Sequence, residues 1–401
     1  MTDNCYAYHE VTEQSSSEAG KSRLRVTVQS NMSVKGWPTD AGSLALEKYV
    51  ALEDSALIEN LKKAHVTIPG STRMAELGFG IAGDAASVII KEDSVDACLV
   101  TDTLGEARHT AAMSATIGFK PSYGICSRYG LIGLVPSMEC TGVVARDIDV
   151  IAVLMQAMSL KDQRDISMLT SGIPDFTLVA ARKNSITRLG IIREVNEHLE
   201  ENEREALTSA LSRMSECGLE VVEISIPDFS LIPSVHAVIA ATEASSAAGK
   251  YDGVRYGHRA AGTSNWNEMY LKSRAESFGI LLKSFLFQGA YYQFKNYEAF
   301  EDACRIRRRL LCQAHTAFEG VGAFVLPTRR LHHDAAAATT VSQVYDAFSL
   351  TAMASLLGFP AVSIPGFVAA GNVDCGLQIV APYLHDVEIL AVAGHCQKGT
   401  N

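Results

Sequence analysis

Several short patterns in this chain could carry chemistry, and the first is rich in glycine. Residues 78–83 read GFGIAG and match the G-x-G-x-x-G pattern of dinucleotide-binding loops, with Asp102 nineteen residues beyond the last glycine. That function needs a strand directly before the glycines and a helix directly after them. Residues 73–77 do not look like a strand, and Val88-Ile89-Ile90 looks more like a strand than a helix. We therefore expect no bound dinucleotide.

A metal site and an anion site are the next candidates. His332, His333 and Asp334 are potential ligands, but no further ligand stands at helical spacing and no H-E-x-x-H is present, so we expect a polar loop and no metal. Arg305 and the run 307–309 form a basic cluster on a predicted helix. Two interpretations stay open: a solvated helix face paired with acids, or an anchor, best represented by Arg307, for a carboxylate or phosphate.

Serines in and beside the Gly/Ala-rich stretch 78–135 are candidates for a third kind of chemistry, in which a hydroxyl group attacks an acyl carbon. Such a reaction needs a nucleophile, a base and hydrogen-bond donors for the oxyanion. No G-x-S-x-G motif is present. Spacing alone selects none of the four candidates, Ser87, Ser114, Ser127 and Ser137.

Longer motifs resemble the amidase signature family. The ungapped stretch 101–146 resembles that family's serine-containing loop and the segments that follow it. Further similar segments are 34–39 (VKGWPT), 68–78 (IPGSTRMAELG), 251–257 (YDGVRYG), 359–366 (FPAVSIPG) and 376–379 (GLQI). The segment 251–257 is similar in particular to the A subunits of glutamyl-tRNA(Gln) amidotransferases. The resemblance covers residues 24–396, nearly the whole chain.

The resemblance implies a fold and a domain organisation. We expect the amidase signature fold, a single α/β domain with a central mixed β-sheet flanked by helices. Residues 1–23 are expected to form a polar, loosely held lead-in, and residues 24–401 a truncated amidase signature domain. The family's N-terminal helices, and a segment that normally precedes its glycine-rich loop, are not found in this chain.

Three side chains carry the family's chemistry, and the resemblance implies that all three are replaced. In the family a Lys, acting through a Ser that follows a cis peptide bond, takes the proton from the nucleophilic Ser. The matching positions hold Gln29, Ala82 and Glu106. Gln29 has no basic nitrogen and Ala82 has no hydroxyl group. We expect amide hydrolysis by the family mechanism to be lost.

The loop that holds the oxyanion in the family is also present. Its positions here are Thr101, Asp102, Thr103, Leu104 and Gly105. We predict that backbone N–H groups of this loop bind the Glu106 carboxylate and thereby close the site. Because several N–H bonds stabilise the charged form of a carboxylate, Glu106 is predicted to be a poor acid and a poor base.

Residues that hold glutamine in these amidotransferases are partly retained. By resemblance these positions are Tyr256, Arg307 and Asp346. Arg307 and Asp346 either clamp the α-carboxylate and α-amine of a ligand, or form a buried ion pair that holds the fold together.

Three functions remain open from the sequence. The first is a pseudoenzyme that binds a protein partner (amidotransferase-like subunits or a second copy) or a small amide or amino-acid ligand, such as glutamine. The second is an enzyme of altered mechanism that uses Glu106 as base or anchor, near Asp84, Asp102 or His109. The third is amide hydrolysis by a displaced serine such as Ser87 or Ser114. A binding role predicts an exposed apolar patch, and none of the three calls for a cofactor.

Periodicity predicts the elements that position these residues. Strands are predicted at 25–28, 65–68, 186–193, 219–226, 321–326, 361–364 and 376–380. Helices are predicted at 53–64, 147–158, 200–217, 342–357 and 386–395, and residues 234–320 are expected to be mostly helical. The unit 186–226 predicts parallel strands joined by a helix.

Composition excludes several classes of protein. Apolar residues make up 47% and charged residues 20% of the 401-residue chain, which provides a sizeable core. The net charge of −10 argues against direct binding of nucleic acid or an anionic membrane. No membrane-spanning stretch or signal peptide is recognisable. The nine cysteines, none in a C-x-x-C, predict reduced thiols in a cytoplasmic protein.

Overall fold

The computed structural model describes residues 2–9, 24–81, 85–92, 95–181, 186–369 and 373–398. The strands, in chain order, are β1 (Tyr6–His9), β2 (Val26–Gln29), β3 (Gly70–Thr72), β4 (Ala97–Asp102), β5 (Ile117–Lys120), β6 (Cys140–Ala145), β7 (Arg188–Ile192), β8 (Glu220–Ile224), β9 (Ala323–Pro327), β10 (Ala361–Ile364), β11 (Val368–Ala369), β12 (Val373–Asp374) and β13 (Leu377–Val380). Eleven of them form one mixed sheet in the order β1-β3-β2-β4-β6-β5-β10-β13-β9-β7-β8, and β11 pairs with β12. The predicted mixed sheet is confirmed.

Helices cover this sheet. They are α1 (Ala56–Lys63), α2 (Ala85–Lys91), α3 (Glu106–Ser114), α4 (Ile148–Met158), α5 (Arg193–Asn196), α6 (Glu201–Glu216), α7 (Ile232–Ala247), α8 (Trp266–Ser277), α9 (Ile280–Phe294), α10 (Tyr297–Phe318), α11 (Val341–Ala347), α12 (Ala352–Leu357) and α13 (Asp386–Lys398). None of these helices combines the length and the apolar composition that crossing a bilayer requires.

The predicted strand–helix–strand unit is confirmed. Strands β7 and β8 are parallel and are joined through α6. The helix begins with a capping box between Glu200 and Glu203, which satisfies backbone N–H groups that a helix leaves unpaired. It ends before Gly218, whose φ of +83° is readily adopted only by glycine.

One predicted strand, 65–68, and the strand-like interpretation of 88–90 are wrong. Residues 65–68 do not form a strand: His65 has a φ of +60°, and the strand begins only at Gly70, in the polar triplet Gly-Ser-Thr. Residues 88–90 lie in helix α2, because Ile89 and Ile90 bury their side chains in a small core beneath α3, and this packing outweighs their β propensity. The glycine pattern is therefore followed by a helix, as a dinucleotide-binding loop requires. The pattern begins at the end of a 3₁₀ turn (Glu76–Gly78), where such a loop requires a strand. Its last two residues are not described.

Two further differences concern the ends of elements. The predicted helix 342–357 is two helices, α11 and α12, separated at residues 348–351. Within the expected lead-in 1–23, strand β1 pairs antiparallel with β3 at the sheet edge.

Helices α7 and α9 approach each other closely on one side of the sheet. A Cβ atom on Gly289 would lie 1.8 Å from the carbonyl oxygen of Ala241, so only glycine fits at this crossing. The close contact holds two side chains that line the candidate site, His236 on α7 and Phe285 on α9.

Candidate active site

The site is built on the turn between β4 and α3. Strand β4 ends at Asp102, and α3 begins at Glu106, which leaves three residues for the turn. Gly105 has a φ of +137°, and a Cβ atom there would lie 2.2 Å from Oγ1 of Thr351. The turn therefore requires glycine, and its tight path directs successive N–H groups toward one point.

The Glu106 carboxylate occupies that point. Its Oε2 accepts hydrogen bonds from the backbone N–H groups of Thr103 at 2.7 Å, Leu104 at 2.8 Å and Gly105 at 3.1 Å. The predicted contact between Glu106 and the loop is confirmed for these three residues. The N–H of Thr101 donates instead to Oε1 of Gln29 at 2.8 Å. Glu106 itself is buried.

The protonation of Glu106 differs from the prediction. Complete burial raises the pKa of Glu106, and the negative charge of Asp102 raises it further, to about 7. The hydrogen bonds from the loop lower the pKa but do not offset these two effects. The expectation that Glu106 is a poor acid and base is therefore wrong, because it counted the N–H donors and not the desolvation. Its Oε1 has no hydrogen-bond partner among the described residues.

A histidine and a tyrosine extend this polar array. His236 Nε2 lies 2.9 Å from the carbonyl oxygen of Thr103, and His236 Nδ1 lies 3.0 Å from the Tyr345 hydroxyl. Because a carbonyl only accepts, Nε2 carries the hydrogen and Nδ1 accepts from Tyr345. Burial lowers the pKa of His236 to about 4, so the ring is neutral at pH 7. This pair is not among the predicted site residues; its only signal in the sequence is a lone histidine in an apolar helix.

The space beside Glu106 is small. A cavity of about 10 Å³ remains, which is room for about one water molecule. The Phe79 and Phe285 rings stack with centroids 4.1 Å apart at its wall. Its other large lining residues include Leu77, Leu134, His236 and Tyr345.

A buried ion pair supports the turn from below. Arg108 and Asp102 have no exposed side-chain surface, and Arg108 Nη2 lies 2.8 Å from Asp102 Oδ1. Burial disfavours the charge on Asp102, but the Arg108 guanidinium prevails and holds the pKa of Asp102 below its usual value. Arg108 also donates to the Thr351 carbonyl at 2.8 Å and to Ser355 Oγ at 2.9 Å. Asp102 thus anchors the turn through its ion pair with Arg108. As a carboxylate it has no proton to donate to Glu106.

Two of the three positions that the resemblance matches to the family's catalytic side chains meet at this turn. Gln29 contacts its beginning through Thr101, and Glu106 contacts its end. Ala82, and Asp84 of the altered-mechanism alternative, lie outside the described residues. His109 is buried one helical turn beyond Glu106 and packs on Phe348, with ring centroids 4.3 Å apart.

The predicted ligand residues lie on three different segments of the chain. Arg307, on α10, donates to the carbonyl and hydroxyl oxygens of Ser137 at 3.3 and 3.4 Å, and burial lowers its pKa. Asp346 is exposed on α11, so the predicted alternative of a buried ion pair with Arg307 is wrong. Tyr256 packs between Tyr49 and Tyr251 in the loop after α7.

Different residues of the basic cluster fit the two interpretations, a solvated helix face and an anchor for an anion. Arg305 pairs with Asp302 at 2.5 Å and Arg309 with Asp228 at 2.6 Å, as on a solvated face. Among the described residues, Arg307 forms no ion pair.

None of the four candidate serines, Ser87, Ser114, Ser127 and Ser137, lines the cavity beside Glu106. Ser114 lies eight residues beyond Glu106, at the other end of α3, and donates to the Thr110 carbonyl at 2.7 Å. Ser127 donates to Asp162 at 2.9 Å, and Ser87 is buried in α2. Within the part of the chain that the structure describes, no group of three or more His, Cys, Asp or Glu side chains comes together to hold a metal ion.

Comparison with known proteins assigns the family. The sequence profile of the family described as Amidase matches residues 24–90 and 82–390. The chain belongs to this amidase family, and the resemblance noted from its motifs is confirmed. The glutamyl-tRNA(Gln) amidotransferase A subunit of Ralstonia pickettii (strain 12J) is 31% identical over 412 residues, covering 92% of this chain and 82% of that protein. Its counterpart from Symbiobacterium thermophilum is 30% identical over 407 residues, covering 94% and 82%.

Solved structures agree on the fold. The crystal structure of the glutamyl-tRNA(Gln) amidotransferase A subunit from Thermotoga maritima superposes with a TM-score of 0.77 at 21% identity, covering 98% of this chain and 87% of that one. A peptide amidase in complex with the competitive inhibitor chymostatin gives a TM-score of 0.76 at 17% identity, covering 94% and 83%. At these identities the similarity establishes the amidase signature fold.

Proposed function

We propose that this chain is an amidase-family protein that has lost amide hydrolysis and acts by binding a protein partner or a small amide or amino-acid ligand. The observation that carries the proposal is the Glu106 carboxylate, which saturates three converging N–H donors. Donors that are already occupied cannot stabilise a developing oxyanion. Gln29, which by resemblance replaces the family's lysine, has no basic nitrogen to accept a proton.

The size of the cavity supports the same proposal. Pockets that hold small molecules measure roughly 300–1,000 Å³, whereas the space beside Glu106 is about 10 Å³. An amide and its attacking group do not fit beside Glu106 while the carboxylate and the two stacked phenylalanines are in place.

Arg307 supports the ligand-binding part of the proposal. It is partly buried, and its two hydrogen bonds to Ser137 are long, at 3.3 and 3.4 Å. Arg307 forms no direct ion pair with a carboxylate among the described residues, although the Glu243 carboxylate is near enough to favour the charge on the guanidinium group. A guanidinium group in this position suits the carboxylate of an amino-acid ligand. We expect L-glutamine binding, measured by isothermal titration calorimetry, to weaken at least tenfold in Arg307→Gln and to stay unchanged in the exposed control Arg305→Gln.

The loss of hydrolysis is tested by ammonia release from glutamine, asparagine and simple amides. We expect none from the native chain. The revertant Gln29→Lys/Ala82→Ser/Glu106→Ser restores base, relay and nucleophile, and is expected to regain measurable release. The matched control Gln29→Lys/Ala82→Ser/Glu106→Ala opens the donors without a nucleophile and is expected to stay silent. Turnover by the native chain would contradict the proposal.

One observation favours a second candidate, an enzyme of altered mechanism. The pKa of Glu106, raised to about 7 by burial and by Asp102, lies where a general base works best near neutral pH. Native turnover that rises with pH through 7 and disappears in Glu106→Gln would establish this candidate. Turnover that survives Glu106→Gln would exclude it.

A further inference from the structure

The outward face of α9 is an apolar stripe. Phe287 and Phe294 expose 74% and 79% of their surface, Ile280 exposes 77% and Tyr291 53%. Together with the exposed Ser284 they recur at intervals of four and three residues, which lines up one side of a helix. The opposite side of α9 packs on α7. We call this exposed set the α9 stripe: Ile280, Ser284, Phe287, Tyr291 and Phe294.

The α9 stripe is free of charge. Helix α9 contains one charged residue, Lys283, which is half-buried and donates to the carbonyl of Ala275. The outer face of a surface helix normally carries charged and polar side chains. A row of exposed aromatic side chains in a chain of net charge −10 is therefore a surface to be covered by another molecule.

We propose that the α9 stripe joins two copies of this chain, whose α9 helices pair antiparallel across a two-fold axis. An uncharged face meets its own copy without the repulsion that an acidic surface would impose. Two-fold symmetry places the same patch on both sides of the contact. In this arrangement the end of one α9 helix lies beside the beginning of the other.

The area of the stripe suits a dimer. An aromatic side chain carries roughly 150–250 Å², so the exposed parts of the α9 stripe and of the neighbouring Tyr297 offer on the order of 600 Å² per copy. A stable interface buries about 800 Å² per partner, and polar residues at the rim supply the rest. The stripe lies on the outer side of α9, and none of its residues lines the cavity beside Glu106.

The test is the mass of the full chain in solution, measured by sedimentation velocity at micromolar concentration. We expect twice the chain mass of 43.1 kDa. Phe287→Glu/Phe294→Glu is expected to sediment as a single chain, because it places like charges across the axis. The matched control is Ile166→Glu, at a fully exposed apolar side chain elsewhere, and it is expected to remain a dimer. Circular dichroism checks that each variant is folded.

A mixing experiment distinguishes a second copy from another partner. Phe287→Glu and Phe287→Lys are each expected to be single chains, and an equimolar mixture to regain the double mass through opposite charges. A native chain at the single mass, a dimer that survives Phe287→Glu/Phe294→Glu, or a mixture that stays monomeric would overturn the proposal. A monomeric native chain that binds neutral phospholipid vesicles through the α9 stripe would assign the stripe to a lipid surface instead.

Discussion

Two opposing effects set the pKa of the buried Glu106 carboxyl group. Three N–H bonds favour the carboxylate, whereas burial and the charge of Asp102 favour the neutral acid, and the resulting pKa is about 7. The ordinary value is 4.5. The folded chain therefore holds a proton on Glu106 over a pH range in which the unfolded chain has already released it. Stability falls with rising pH across that range, because the native state binds more protons.

This balance predicts the pH dependence of stability. The contribution of Glu106 is fully present below about pH 4.5, and it is lost as pH rises toward 7. Between pH 5 and pH 8 the free energy of unfolding of the native chain is expected to fall by roughly 2 kcal/mol relative to Glu106→Gln, which keeps an oxygen for the N–H donors and does not titrate. Urea unfolding at both pH values measures it. Parallel changes in the two proteins would show that Glu106 does not titrate there.

The contacts at this site were predictable only in part. Resemblance to a family placed Glu106 on the N–H donors, because those donors belong to a backbone turn whose sequence is recognisable. The neutral His236 and its hydrogen bond to Tyr345 join residues 109 positions apart in the chain. No local pattern gives such a contact, and the pKa shifts depend on a burial that only the assembled fold defines.

At the scale of elements, the contact between α7 and α9 decides the shape of the site. It places both His236 and Phe285 in the lining of one small cavity. Both helices are apolar over much of their length, so their existence could be predicted, but their crossing point could not. The crossing point is fixed by the absence of a side chain at Gly289. The reason for this glycine is clear only from the fold, in which it lies against the backbone of Ala241.

Gly289→Ala is expected to lower the free energy of unfolding by about 3 kcal/mol. The added methyl group would lie 1.8 Å from the Ala241 carbonyl oxygen, so the two helices must separate. Gly249→Ala is the control, because a Cβ atom there meets nothing within 4 Å, and its effect is expected to stay below about 1 kcal/mol. Chemical unfolding of both variants compares them. Equal losses would mean that the helices accommodate the methyl group.

At the scale of the whole molecule, one mixed sheet runs through the fold and buries most of the apolar residues. Its mixture of parallel and antiparallel neighbours includes pairings distant in sequence, such as β5 with β10. Periodicity predicted six of the thirteen described strands (β2, β7, β8, β9, β10 and β13) but not their order, because order is set by tertiary packing. The fold class came from resemblance over nearly the whole chain, which carries more information than any single element.

The burial of the thiols tests this arrangement. Of the nine cysteines, Cys304 and Cys312 on α10 are exposed, and Cys98, Cys126 and Cys140 are among the buried ones. Burial raises the pKa of Cys98 and of Cys140 to about 12, so neither forms a reactive thiolate at pH 8. With Ellman's reagent we expect two rapidly reacting thiols in the native chain, one fewer in Cys304→Ser or Cys312→Ser, and nine in denaturant. Rapid reaction of the buried thiols would contradict the described core.

The attachment of Glu106 to its own turn has a competitive consequence. A ligand oxygen from solution must displace a carboxylate that is covalently tethered beside the same three N–H groups. The effective concentration of such a rigidly held competitor lies far above the millimolar range of a flexible tether. Any ligand oxygen that approaches this turn therefore competes with the Glu106 carboxylate for the same N–H donors.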